Sequence, residues 1–360
     1  MTVDFHSVFA GKRALITGGL GFIGSNLARR LLEYGAQVLL VDSLIPEYGG
    51  NLHNIAGIED RVEVNIADVR DAHSMSYLIQ QRDYLFNLAG QTSHLDSMRD
   101  PHADLEINCR AQLSILEACR RHNPAVKVVY ASTRQLYGVP DYLPVDERHL
   151  LHPIDVNGIN KMAGERYHIV YNNVYGVRST VLRLTNTYGP RMRVKDARQT
   201  FLGWWIRQVI EGREIEIYGE GCQLRDLTYI DDVVEALLLA AAGEECHGEV
   251  FNLGGDGPVS LRELAELLLA VNSGGRYVMK PFPPEQKAID IGDYYADDRK
   301  IRARLDWSAK VSLREGLSRT LEYYRAHGRY YWDCMNGEDS FSRSGTGFPG
   351  AVVGADRRDR

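Results

Sequence analysis

Five cysteines in 360 residues, at positions 109, 119, 222, 246 and 334, are odd in number and scattered, with no C-x-x-C or Cys/His cluster. Such spacing suggests neither a disulfide framework nor a metal site. Long hydrophobic runs are missing too, since none approaches the length of about 18 residues that a membrane-spanning helix needs. No excess of positive charge is present: 42 Lys and Arg stand against 48 Asp and Glu, a net charge of −6. This balance argues against nucleic acid or an anionic membrane as a partner held by bulk charge, and leaves room for a local basic patch around a small anion. The opening residues carry no basic-then-apolar leader, so a cytoplasmic protein is expected. What is present is globular, with 44% hydrophobic and 25% charged residues, in a length that suits one large α/β domain or one plus an elaboration.

Short β-branched runs alternate with amphipathic stretches from the start. Strands are expected over 13–17, 37–41, 61–66, 83–88, 126–131 and 178–184, and helices over 22–34, 105–122 and 156–175. This alternation predicts a Rossmann-type, doubly wound parallel sheet with helices on both faces. After about residue 185 the pattern loosens into helices at 200–211, 231–242 and 261–271 with short strands at 214–218 and 249–253. The expected organisation is an NAD-binding domain over 1–185, a smaller substrate-binding lobe over 186–330, and a disordered Gly/Ser/Arg-rich tail over 336–360. The strand at 249–253 is expected to return to the main sheet.

The stretch Thr17-Gly18-Gly19-Leu20-Gly21-Phe22-Ile23-Gly24 follows the first strand and opens the first helix. Gly18, Gly21 and Gly24 form G-x-x-G-x-x-G. The first glycine permits the turn, the second lets a pyrophosphate approach the main chain, and the third lets helix and strand pack closely. The open N–H groups at the helix start, around Phe22 and Ile23, face the phosphates. Asp42 ends the second strand, where a carboxylate accepts from ribose hydroxyls and repels a 2′-phosphate, favouring NAD over NADP.

With these residues in place, the chain resembles the extended short-chain dehydrogenase/reductase family, in its nucleotide-sugar epimerase/dehydratase branch, over roughly residues 11–327. Ala67-Asp68-Val69 resembles the segment that meets the adenine, and Asn87-Leu88-Ala89-Gly90 resembles the cofactor-flanking loop after the fourth strand. Ser132-Thr133-x-x-x-Tyr137-Gly138 is similar to the motif whose Ser/Thr touches the reacting sugar hydroxyl. Leu182-Arg183-x-x-Asn186-x-Tyr188-Gly189-Pro190 is similar to the segment whose Asn contacts the sugar diphosphate. The run from Tyr218 through Arg225-Asp226 to Asp231-Asp232 resembles the one whose Arg, here Arg225, sits on the nucleotide diphosphate. The resemblance implies a nucleotide-sugar substrate, bound NAD, and a homodimer through the helices at 105–122 and 156–175. Arg191 and Arg193 are further candidates for phosphate contact, because arginine suits bidentate phosphate binding.

One position departs from the family. Its catalytic helix carries Tyr-x-x-x-Lys, and here Lys161 is in place while Asn157 holds the tyrosine position. The spacing sets both on one helical face. An amide orients a hydroxyl but does not accept its proton, and a positioned general base is worth about 10²–10⁴ in rate. Three readings stay open: Tyr137 as a replacement base; a relay through Lys161, Thr133 and water; or a non-catalytic protein that binds NAD or nucleotide sugar. Lys161 is expected to hold the cofactor ribose and supply positive charge. After Thr133, the resembling 4,6-dehydratases place an Asp-Glu pair for water elimination, whereas this chain has Arg134-Gln135. The expected activity is therefore epimerisation through transient oxidation of a ring carbon, C4 foremost. The alternative is a decarboxylase or epimerase of a nucleotide uronic acid, whose carboxylate Arg134 would face. Glu165 is read as holding the helix or a dimer contact, and His94, His152 and His168, which attract attention as possible proton carriers, as surface or satisfied interior histidines.

Overall fold

The computed structural model describes residues 3–332. Its first six strands are β1 (Arg13–Thr17), β2 (Gln37–Asp42), β3 (Val62–Ile66), β4 (Tyr84–Asn87), β5 (Lys127–Thr133) and β6 (Ser179–Leu184). They lie parallel in the order β3-β2-β1-β4-β5-β6, and the strand Val250–Asn252 pairs with β6 to make a seventh. This is the doubly wound order, and it reverses between β1 and β4, where a crevice opens at the carboxyl ends of the strands.

The inner strands are near-continuous apolar runs because both sheet faces are covered. Successive side chains of β1 divide between two layers. Ala14 and Ile16 join a core built with helix α1 (Phe22–Glu33), while Leu15 packs with Ile115 and Leu116 of a helix on the other face. That other face carries α2 (His94–Arg99), α3 (Ala111–His122) and α4 (Val156–Tyr175). Asp155 caps α4 by accepting from the Gly158 N–H at 2.6 Å, and Gly176 ends it in the left-handed conformation at φ 70°. The expected helix over 105–122 begins earlier, at Pro101, and passes through a π-helical turn at Glu106–Arg110 before α3.

Beyond residue 186 the chain adds a three-stranded and a two-stranded sheet with their helices. The core on the α1 face continues without a break into Leu202, Ile217, Leu264 and Leu317. The helix Ile230–Ala242 is buried on nearly every side, with Ala236, Leu237 and Leu238 inside that core. The strand near 250 returns to the main sheet as expected. The expected tail at 336–360 lies outside the described residues. Among the described residues, no helix is long and apolar enough to cross a membrane.

Candidate active site

A cavity of about 610 Å³ opens over the carboxyl ends of the strands, at the reversal point of the sheet. Its wall contains every residue expected to hold the cofactor: Gly18, Gly21, Phe22, Ile23, Gly24, Asp42, Asp68, Val69, Leu88, Ala89, Gly90 and Lys161. Thr133, Arg134, Asn157, Asn186 and Arg225 line the same space. Residues up to about 200 positions apart in sequence thus converge on one cavity.

The glycine loop is built for close approach. Gly18 sits at φ +68°, and a Cβ on Gly24 would collide with the Gly18 carbonyl oxygen. α1 starts at Gly21 with no side-chain cap, so its first N–H groups stay open to an anion. Asp42 accepts from the Leu20 and Leu44 N–H groups at 3.1 and 2.9 Å, and burial raises its pKa against those bonds. Gly50 leaves room beside it, since a Cβ there would lie 2.7 Å from Asp42 Oδ1. Asp68 is gripped by Arg70, whose Nη2 lies 2.6 Å away and whose hydrogen bonds hold the carboxyl below its usual range. Open helix N–H groups, room only for glycine, and a carboxylate at the end of β2 together fit a dinucleotide.

Lys161 is 6% exposed and donates from Nζ to the Ala131 carbonyl at 2.8 Å, above the Tyr130 ring. Burial lowers its pKa to about 8, with Asp104 and Glu165 opposing the shift. Asn157 spends its amide inward: Nδ2 donates to the Gln91 carbonyl at 2.8 Å and to Asp104 Oδ2 at 3.0 Å. Asp104, fully buried, also accepts from Asn108 and Asn160. The asparagine at the tyrosine position therefore ties down a buried carboxylate, and its carbonyl oxygen is what remains for a ligand.

Several expected residues fall elsewhere. Tyr137, the expected replacement base, is fully buried in a cluster with Leu136 and Tyr294 and is absent from the cavity wall. Its hydroxyl donates to Asn252 Oδ1 at 2.7 Å and accepts from Arg183 Nη1 at 2.5 Å, and burial pushes its pKa up to about 12. The Y-G tyrosine is part of the packing. Arg191 and Arg193 turn from the cavity toward Asn26 and Asp196. Glu165, expected to hold its helix or a dimer contact, is fully buried and ties the helix to the sheet: it pairs with Arg183 through Nε at 3.0 Å and accepts from Ser132 at 2.8 Å. His168 is interior, with Nδ1 2.7 Å from Ser179 Oγ, and His152 is exposed.

Arg134 stands on the wall, donating to Asn186 Oδ1 at 3.0 Å. Arg225 donates to the carbonyls of Leu224 and Gly292 and lies 3.4 Å from Asp290. Burial lowers the Arg225 pKa to about 10, and the nearby Arg134 adds to that. Two guanidinium groups facing one cavity suit an anionic ligand. His94, expected to be an ordinary surface or interior histidine, instead lines the cavity with Nδ1 3.0 Å from Asp155 Oδ2. Trp204 and Phe282, which the sequence reading did not single out, line the same cavity. Nothing in the spacing of single aromatics marks them, because their neighbours come from distant segments.

Residues 14–254 match the family model described as the NAD dependent epimerase/dehydratase family. The chain belongs to this family. A relative from Methanocaldococcus jannaschii named putative UDP-glucose 4-epimerase is 31% identical over 88% of this chain and 99% of its own length. Another, the UDP-N-acetyl-alpha-D-glucosaminuronate decarboxylase of Bacillus cytotoxicus, is 30% identical over 87% of this chain and 98% of its own. Among solved structures, the UDP-glucose 4-epimerase of Thermotoga maritima with UDP-glucose superposes with a TM-score of 0.80 at 33% identity, covering 88% of this chain and 99% of the other. The dTDP-glucose 4,6-dehydratase DesIV of Streptomyces venezuelae with NAD bound does so at 0.80 and 27%, covering 89% and 99%. As a member of the epimerase/dehydratase family, this chain is an NAD-dependent enzyme, and its cavity residues fit that cofactor.

Proposed function

We propose that the protein is an NAD-dependent nucleotide-sugar epimerase that oxidises a ring carbon, C4 foremost, and returns the hydrogen to either face. The observation that carries this reading is the single cavity joining the dinucleotide loop to Arg134, Asn186 and Arg225, with Thr133 and Lys161 in the same wall. NAD, when bound, supplies the hydride acceptor. Gly18 through Gly24 would cradle its pyrophosphate, Asp42 its ribose, and Asp68, Val69, Leu88, Ala89 and Gly90 would flank it. Lys161 would hold the second ribose and place a positive charge beside the reacting centre. Thr133 would orient the sugar hydroxyl, with the Asn157 carbonyl as a second acceptor, while Asn186 and Arg225 would bind the sugar diphosphate.

Epimerisation is favoured over elimination of water because Arg134 and Gln135 replace the acid and base of the dehydratases. Arg134 on the cavity wall supports one further reading, a nucleotide uronic acid whose carboxylate it meets, with decarboxylation or epimerisation as the outcome. A homodimer is part of the proposal. Ile159, Val170, Val174 and Tyr175 of α4 and Leu105 are apolar and exposed, a stripe that a second copy would cover. A cytoplasmic location accords with unpaired thiols at Cys109, Cys119, Cys222 and Cys246.

Mass analysis of what denatured, freshly purified protein releases tests cofactor and substrate class together. NAD with a hexose nucleotide is the expected result, and release of no dinucleotide with no titratable affinity for one overturns the reading. Interconversion of the C4 epimers of a nucleotide hexose, followed by proton NMR, then separates epimerase from decarboxylase, which would release CO₂.

A further inference from the structure

With asparagine at position 157 and Tyr137 locked in the core, the sugar hydroxyl still needs a group to take its proton. The cavity wall offers one. His94 lines it together with Thr133, Gln135, Asn157 and Lys161. Nδ1 is the buried nitrogen of the ring, whereas the side chain as a whole is 34% exposed. That leaves the opposite edge, with Nε2, to the solvent side.

Behind the ring, Asp155 has a fully buried side chain, and its Oδ2 lies 3.0 Å from Nδ1, off the line of an ideal N–H···O bond. Catalytic contacts of this kind are often poorly aligned before ligand binds. The carboxylate itself is fixed from two sides: Oδ1 accepts from Gly158 N–H at 2.6 Å and Oδ2 from Gln135 Nε2 at 2.7 Å. Gln135 follows Thr133 by two residues, and its N–H donates to Thr133 Oγ1 at 3.2 Å. Asp155 precedes Asn157 by two residues, and the Asn157 N–H donates to Ser97 Oγ, which itself donates to the His94 carbonyl at 2.7 Å. His94 is therefore fastened to both the threonine loop and the start of the helix that carries Asn157 and Lys161.

We propose that His94, oriented by Asp155, is the general base and acid that replaces the missing tyrosine. This rests on the epimerase reading above. On oxidation the hydroxyl O–H bond breaks and its proton forms an N–H bond at Nε2. The oxygen electron pair becomes the carbonyl bond as the C–H pair leaves as hydride to the oxidised nicotinamide. Reduction reverses both transfers, so protons and electrons balance over a turnover. A carboxylate on Nδ1 sets the tautomer that leaves Nε2 as acceptor and stabilises the imidazolium formed.

Two measurements test it. In protein carrying ¹⁵N-histidine, the His94 ring, assigned by its loss in His94→Gln, is expected to carry its proton on Nδ1. In Asp155→Asn, which keeps a side-chain oxygen for the Gly158 cap, the proton is expected to move to Nε2. A wild-type ring protonated on Nε2 overturns the proposal, whether or not a substrate is known. Turnover is then followed with NAD and the UDP, dTDP, CDP and GDP hexoses. His94→Gln is expected to lower kcat by about 10²–10⁴-fold with KM within about threefold and the melting temperature unchanged, and Asp155→Asn to lower kcat in the same direction. A His94→Gln enzyme that keeps kcat within threefold also overturns it, and leaves the epimerase reading standing. A wild-type protein inert toward all four classes removes the epimerase reading instead, and the tautomer still decides whether the pair is built as described.

Discussion

Lys161 and Asn157 show how one helix face carries both charge and restraint. Burial depresses the Lys161 pKa to about 8, below the unfolded value of about 10.4. Between those values the unfolded chain binds more protons than the folded one, so this group makes folding more favourable as pH rises through that window. Urea melts at pH 7.5 and 10 are expected to show wild type gaining stability relative to Lys161→Met, with the other titrations common to both. Asn157 supplies one of three amide donors to buried Asp104. Asn157→Tyr is therefore expected to lose about 1–3 kcal/mol of stability by denaturant titration, and to gain no turnover. A gain from nothing would mark the natural chain as a degenerate binder. Both positions were legible in the sequence through the resemblance to the family's Tyr-x-x-x-Lys helix. Their partners were not, because Asp104 and Gln91 reach the site from other segments.

At the scale of elements, α4 is held to the sheet by an ion pair the sequence did not suggest. Glu165 reaches β6 through Arg183 and β5 through Ser132. Removing one partner of a buried pair leaves the other charge without compensation, so Glu165→Ala is expected to cost about 3–5 kcal/mol, read as a lower urea midpoint. The bounds of β1, α1 and α4 were visible in advance since their apolar periods are long and their caps are local: Gly21 for α1, Asp155 and Gly176 for α4. The helix Leu313–His327 escaped sequence reading, and so did Asn186–Tyr188, whose strand character comes from pairing with Leu224–Tyr229 some forty residues away. Three-residue strands carry no period of their own to read.

For the whole molecule, the apolar stripe on α4 makes assembly a measurable property. Val170→Asp with Val174→Asp is expected to yield a monomer by light scattering while leaving the helix content by circular dichroism intact. If the double variant elutes and scatters as wild type does, another surface joins the copies or none does. The boundary expected near residue 185 is blurred in the core, as the expected return of the strand near 250 implied: Ile230–Ala242 packs into the α1 layer and Val250–Asn252 closes the sheet. Glycine spacing, the acid ending β2 and the alternation of apolar runs were enough to determine the doubly wound sheet and the dinucleotide loop, since these depend on neighbours within a few residues or on one repeated unit. Which basic and proton-carrying groups share the cavity was decided only by tertiary packing. Along the chain Tyr137 stands as the leading candidate, and His94 reads as an ordinary surface or interior histidine. The fold buries the first hydroxyl against Arg183 and Asn252 and sets the second ring against Asp155 at the cavity wall, because their surroundings are assembled from segments that meet only when the sheet closes.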